Sequence, residues 1–144
     1  MKRVVITGIG AITPIGNNIA EYTEALKNGT SGAGPITLFD PEVFKTKFAC
    51  EVKDFVPNDF MDRKIARRMD RFSQLAMACT KEAVADSGIM DVNFNPERAG
   101  VVWASGVGGL RSLEVDIEDF EKNGRTRPRY NPFMIPKMLS LIHI

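Results

Sequence analysis

VVITGIGAITPIGN, residues 4–17, is the stretch whose reading decides the fold. Val4, Val5 and Ile6 make a continuous apolar run bounded by Gly8, the pattern of a strand covered on both faces. The chain breaks at Gly8 and Gly10, and Asn17 or Asn18 then supplies a helix cap. Ile19, Tyr22 and Leu26 share one face of the helix that follows, and Asn28-Gly29 ends it. Strand, glycine turn and capped helix are the opening unit of an α/β fold. A second such unit lies downstream: the apolar run from Val101 to Ala104, the turn Ser105-Gly106-Val107-Gly108-Gly109, and a helix carrying Leu110, Leu113, Ile117 and Phe120. Between the two units, residues 29–41 read as a loop and Phe48 to Val52 as a short alternating strand. Asp59 or Asp62 opens a helical region, and a further helix starts near Asp70 with Phe72, Leu75, Ala76, Cys79 and Ala83 as its apolar stripe. Ser87-Gly88 stops it. Two strand–glycine–helix units predict a layered α/β domain.

The remaining bounds are chemical. A length of 144 residues suits one domain, and a net charge of +1 provides no global field to attract nucleic acid. Cys50 and Cys79 are too few for a disulfide framework. No run approaches the ~18 apolar residues of a membrane span, and no secretory signal opens the sequence. A reduced, cytoplasmic protein with neither a nucleic-acid nor a membrane partner is expected.

The first glycine turn invites a dinucleotide reading, but that fingerprint requires a third glycine where Thr13 stands. Pro14 follows it, and Glu24 falls within a helix instead of at a strand end. Neither turn continues into the Gly-Lys-Ser/Thr of a phosphate loop. The glycines from Gly106 to Gly109 fit a tight strand-to-helix turn, and equally the wall of a narrow apolar tunnel beside Val107. Glu114, Asp116, Glu118, Asp119 and Glu121 spread around their helix with no histidine or cysteine near, as a solvated face does, so no metal site is expected. Lys64, Arg67 and Arg68 fall on one helical face, with Arg63 and Arg71 close by. That patch suits a phosphorylated or acidic partner, and suits simple solvation as well. Cys79 reads as a core residue, and Cys50 has no base nearby. The single histidine, His143, is the penultimate residue. A nucleophile requires an oriented base within hydrogen-bond reach, and little here supplies one.

Five segments in order, VVITGIGAITPIGN (4–17), GTSGAGPITLFD (29–40), RKIARRMDRFSQLA (63–76), AGVVWASGVGGL (99–110) and NPFMIPKM (131–138), resemble the beta-ketoacyl-acyl carrier protein synthases, and most closely the type II condensing enzymes of bacterial fatty acid synthesis. The resemblance implies a thiolase-like fold of layered α-β-α-β-α type, of which residues 1–138 would be an incomplete N-terminal part. It implies an acyltransferase that loads an acyl group onto a cysteine, decarboxylates malonyl-acyl carrier protein and joins the two. That is covalent catalysis with oxyanion stabilisation, without a metal or nicotinamide cofactor. Homodimerisation is implied too. By the same resemblance Lys64, Arg67, Arg68 and Arg129 match positions that receive the acidic carrier protein. Val107 matches a residue lining the acyl pocket, and Phe133 and Met134 a segment near that pocket and the dimer interface.

The departures are as informative. In the resembled family the nucleophilic cysteine and two catalytic histidines lie further along the chain, and Cys50, Cys79 and His143 match none of them. No catalytic residue is therefore expected here, and the chain itself is expected to be inactive. Residues 139–144, LSLIHI, spell what CTG-TCT-CTT-ATA-CAC-ATC encodes, which resembles a transposon end used in sequencing libraries. They are expected to be a non-native tail. Strands such as the one from Val101 to Ala104 are then expected to leave edges and faces uncovered. Two other readings stay open: a non-catalytic chain-length partner of a polyketide-type ketosynthase, and a dinucleotide-binding oxidoreductase.

Overall fold

The computed structural model describes residues 3–126, 132–138 and 141–143. The chain divides into two units, Met1–Val56 with Ala78–Val92, and Pro57–Met77 with Asn93–Ile144.

In the first unit, α1 (Ile19–Lys27) begins where the sequence places it. Asn18 is its cap, with the Asn18 side-chain oxygen accepting from the Glu21 amide at 2.8 Å. Glu21 reaches back to accept from the Asn17 amide, also at 2.8 Å. This is the reciprocal logic of a capping box, displaced by one residue. Asn28 closes the helix, and Gly29 follows at φ +63°. The expected loop after it holds a short strand, β1 (Ala33–Pro35), which pairs antiparallel with β2 (Phe48–Cys50) in the register Gly34 opposite Ala49. Glu51, just past β2, accepts from the Thr37 hydroxyl and amide. Those bonds hold its carboxyl below the ordinary value.

The segment from Gly8 to Ala11 is anchored on the C-terminal half of a long helix. That helix, numbered α3 (Arg71–Ser87) to follow α2 (Arg63–Arg68), ends in this unit. Asp86 accepts from the Ile9 amide at 2.9 Å. The two oxygens of Glu82 accept from the amides of Ala11 (2.9 Å) and Ile19 (2.8 Å). Hydrogen bonds to an ionised group contribute about 1.5–3 kcal/mol each, so Glu82 is a principal tie between the first turn, the start of α1 and α3. The approach is close. A Cβ at Gly8 would collide with the Ala83 carbonyl oxygen, and one at Gly10 with that of Cys79.

One sequence expectation fails in this unit. Val4, Val5 and Ile6 are 91%, 59% and 83% exposed, and among the described residues they belong to no strand. An apolar run becomes a strand only when a neighbour completes its hydrogen-bond ladder and a layer covers its faces, and no described segment does either.

The second unit opens with a short helical turn at Pro57–Asp59 and then α2, capped by the Asp62 carboxylate accepting from the Lys64 amide at 2.7 Å. Met69 is extended (ψ 150°) and separates α2 from α3, where Phe72, Leu75 and Ala76 face inward as expected. Asn95 caps a single turn at Pro96–Arg98, leading to β3 (Val102–Ala104). The strand is found, with Val101 and Val102 exposed. Its partner is β4 (Leu141–His143), antiparallel, with Trp103 opposite Ile142. Between them run α4 (Leu110–Lys122) and α5 (Met134–Met138). On α4, Glu114 pairs with Arg111, Glu118 with Lys122, and Glu121 with Arg125, the solvated face its spacing predicts.

Since an added methyl at Gly10 meets main chain that cannot swing aside, Gly10→Ala is expected to destabilise the chain by about 1–3 kcal/mol. Denaturant midpoints compared with the parent check it, and an unchanged midpoint contradicts it.

Candidate functional site

The basic patch is built on α2. Arg63, Lys64, Arg67 and Arg68 are exposed, while Ala66 on the opposite side is buried. The Gln74 side-chain amide donates to the Ala66 carbonyl oxygen at 2.9 Å, which fixes α2 to the first turns of α3. Arg71 belongs to α3, beyond the break at Met69, so the five cations do not share one helix. Arg129 lies outside the described residues.

The segments matched to an acyl pocket sit in the same unit. Val107 is 61% exposed, in the turn before α4, where the Ser105 hydroxyl accepts from the Gly108 amide at 3.3 Å. Phe133 precedes α5 and is partly exposed, and Met134 begins the helix, half-buried. Two links join these segments to the α2–α3 junction. The Arg68 guanidinium stands over the Phe133 ring, 5.4 Å from its centroid, within cation–π range. Two residues on, the buried Asp70 carboxylate accepts from the Ser112 hydroxyl in the first turn of α4. Gly109, which opens α4, is buried, and a Cβ there would meet both Asp70 and the Lys137 carbonyl oxygen of α5.

The sequence pattern marks Asp70 only as a helix start. Its burial and its bond to Ser112 were missed, because a contact 42 residues away in sequence leaves no local pattern. Glu82 and Asp86 were missed as well. Their signal was faint but present: Glu82 lies between Cys79 and Ala83 at the margin of an apolar stripe, where a carboxylate requires donors.

These carboxylates also decide the dinucleotide alternative. A phosphate cradle needs free amides at the turn. Those of Ile9, Ala11 and Ile19 already donate to Asp86 and Glu82. A shallow cleft of about 240 Å³ near Asn17, Glu21, Lys53 and Asp54 lies in the first unit and contains none of the predicted site residues. Cys50 is exposed in β2, and partial burial pushes the Cys79 thiol up, with a backbone hydrogen bond from Ile12 opposing the rise and Glu82 adding to it. Among the described residues no group of three histidine, cysteine, aspartate or glutamate side chains could hold a metal ion. No described helix is long and apolar enough to cross a membrane.

Helices interspersed with short strands make this a partial α/β fold. The chain belongs to the beta-ketoacyl synthase family, whose N-terminal domain matches residues 1–142. It is 43% identical over 139 residues to a "3-oxoacyl-[acyl-carrier-protein] synthase 2" of Synechocystis sp., covering 96% of this chain and 33% of that one. A protein of the same name from Staphylococcus aureus is 41% identical, with 95% and 34% covered. The chain thus spans about a third of the length of these relatives. Among solved structures it is similar to "The ishigamide ketosynthase/chain length factor", with TM-score 0.71, 33% identity, and 94% of this chain and 33% of that chain covered. A type II polyketide ketosynthase in complex with its acyl-carrier protein shares the fold at TM-score 0.69 and 22% identity, with 96% and 36% covered.

The two thiols should separate in an alkylation time course. With burial favouring the protonated form, Cys79 is expected to react more slowly than Cys50 at neutral pH and to gain rate as pH rises. Peptide mass mapping reads this, and faster labelling of Cys79 contradicts it.

Proposed function

We propose that this chain supplies the N-terminal part of a 3-oxoacyl-acyl carrier protein synthase, which condenses an acyl thioester with malonyl-acyl carrier protein in fatty acid elongation. The observation that carries the reading is the 43% identity across 96% of the chain to a protein of that name, with the α2 cations displayed to solvent. Lys64, Arg67 and Arg68, joined by Arg129, receive the acidic carrier protein. Val107, Phe133 and Met134 line or border the acyl pocket. The whole synthase works in the cytoplasm as a homodimer. The 144-residue chain by itself has no condensing activity. Cys79, half-buried with a raised pKa, is a poor nucleophile, and Cys50 matches no nucleophile position of the resembled family.

A second reading has one observation in its favour, the 33% identity to a ketosynthase/chain length factor structure. Under it the parent is a non-catalytic chain-length partner that shapes a pocket instead of reacting. The higher identity to the synthase 2 relatives favours the enzyme.

Incubated with acyl- and malonyl-acyl carrier protein, the purified chain is expected to give no 3-oxoacyl product by mass spectrometry. Lys64→Glu/Arg67→Glu is expected to weaken binding of a fluorescent acyl carrier protein by roughly tenfold or more at low salt, since like charges then face each other across the contact. Product formation contradicts the first expectation, and unchanged affinity the second.

A further inference from the structure

The residues expected to meet a carrier protein and those expected to border an acyl chain are physically joined. Arg68 ends α2, whose Lys64 and Arg67 are displayed to solvent. Its guanidinium does not simply extend into water, because it stands 5.4 Å from the centroid of Phe133. Phe133 immediately precedes Met134, the first residue of α5. The second tie starts two residues later. Asp70 accepts from Ser112 on α4 and sits against Gly109, which also abuts the Lys137 carbonyl of α5. Gly109 is two residues from Val107. The short junction from Arg68 to Asp70, with extended Met69 at its centre, therefore contacts Phe133 and, through Asp70, the start of α4 just after the Val107 turn.

We propose that this junction is a positioning element: docking of an acidic carrier protein on α2 moves Arg68 against Phe133 and so alters the Phe133–Met134 segment and the Val107 turn that border the acyl chain. Arg68 acts here through the ring as well as through its charge toward the carrier. The proposal rests on the carrier-protein reading of α2. A guanidinium bonds a carboxylate through its in-plane donors while its face lies on a ring, so a carboxylate that captures the edge of Arg68 sets the plane in which its face meets Phe133. Asp70, buried and bonded, provides the fixed point against which that change is felt.

The test is a titration of the isotopically labelled 144-residue chain with a holo-acyl carrier protein, followed by NMR and carried to saturation so that differences in affinity drop out. The expected result is movement of the Lys64 and Arg67 amide signals together with the Phe133 ring and the Val107 and Met134 methyl signals. In Phe133→Leu the responses at Val107 and Met134 are expected to fall by about half or more relative to those at Lys64, and Phe133→Tyr, which keeps a π-face, is expected to restore them. If Lys64 and Arg67 respond while Phe133, Met134 and Val107 do not, the coupling is overturned and the carrier-protein reading stands. If Phe133→Leu transmits as fully as the parent, the route through the ring is overturned. If no α2 signal moves at any carrier concentration, the carrier-protein reading fails and the coupling fails with it.

Discussion

The backbone of Gly8 to Ala11 lies against the last turns of α3, and two carboxylates on that helix hold it there. Glu82 bonds the Ala11 and Ile19 amides and so fixes both sides of the first corner, while Asp86 holds Ile9. Without side chains at Gly8 and Gly10 the approach is possible, and with them it is blocked by main-chain oxygens. The direction in which α1 leaves the turn, and the Asn18 cap that starts it, follow from this contact. So does the chemistry, since amides that could have cradled a phosphate are already bonded to carboxylates. The glycines that look like a nucleotide loop serve close packing.

The second unit repeats this device with a different carboxylate. Asp70 is buried where α2 gives way to α3, and it reaches the first turn of α4 through Ser112. An anion near a helix N-terminus is favourable, and here it also brings Gly109 close to α5. The exposed cations of α2 are thus mounted on a junction that is internally fixed.

Local features were legible in the sequence. Helix starts at Asn18, Asp62 and the residue after Asp70, and stops at Asn28 and Ser87-Gly88, follow from side chains that bond neighbouring amides or tolerate left-handed backbone. The placement of Lys64, Arg67 and Arg68 on one exposed surface follows from helical spacing alone. Two kinds of feature were not legible. Ties across 42 or more residues, such as Asp70 to Ser112 and Glu82 to Ala11, have no local signature. The fate of Val4 to Ile6 was misread because an apolar run states that cover is wanted, and cannot state that cover is present. Exposure there, and at Val102, agrees with a chain spanning a third of its relatives' length.

The central claim is that these residues are the N-terminal part of a carrier-protein-dependent condensing enzyme. A chimaera tests it most directly: residues 1–138 of this chain replace the corresponding third of the Synechocystis relative, and condensation of acyl- and malonyl-acyl carrier protein is measured. The account predicts a folded protein that forms the 3-oxoacyl product, with loss of that product when Lys64 and Arg67 are reversed in charge. A chimaera that folds and binds acyl carrier protein yet forms no product would contradict it.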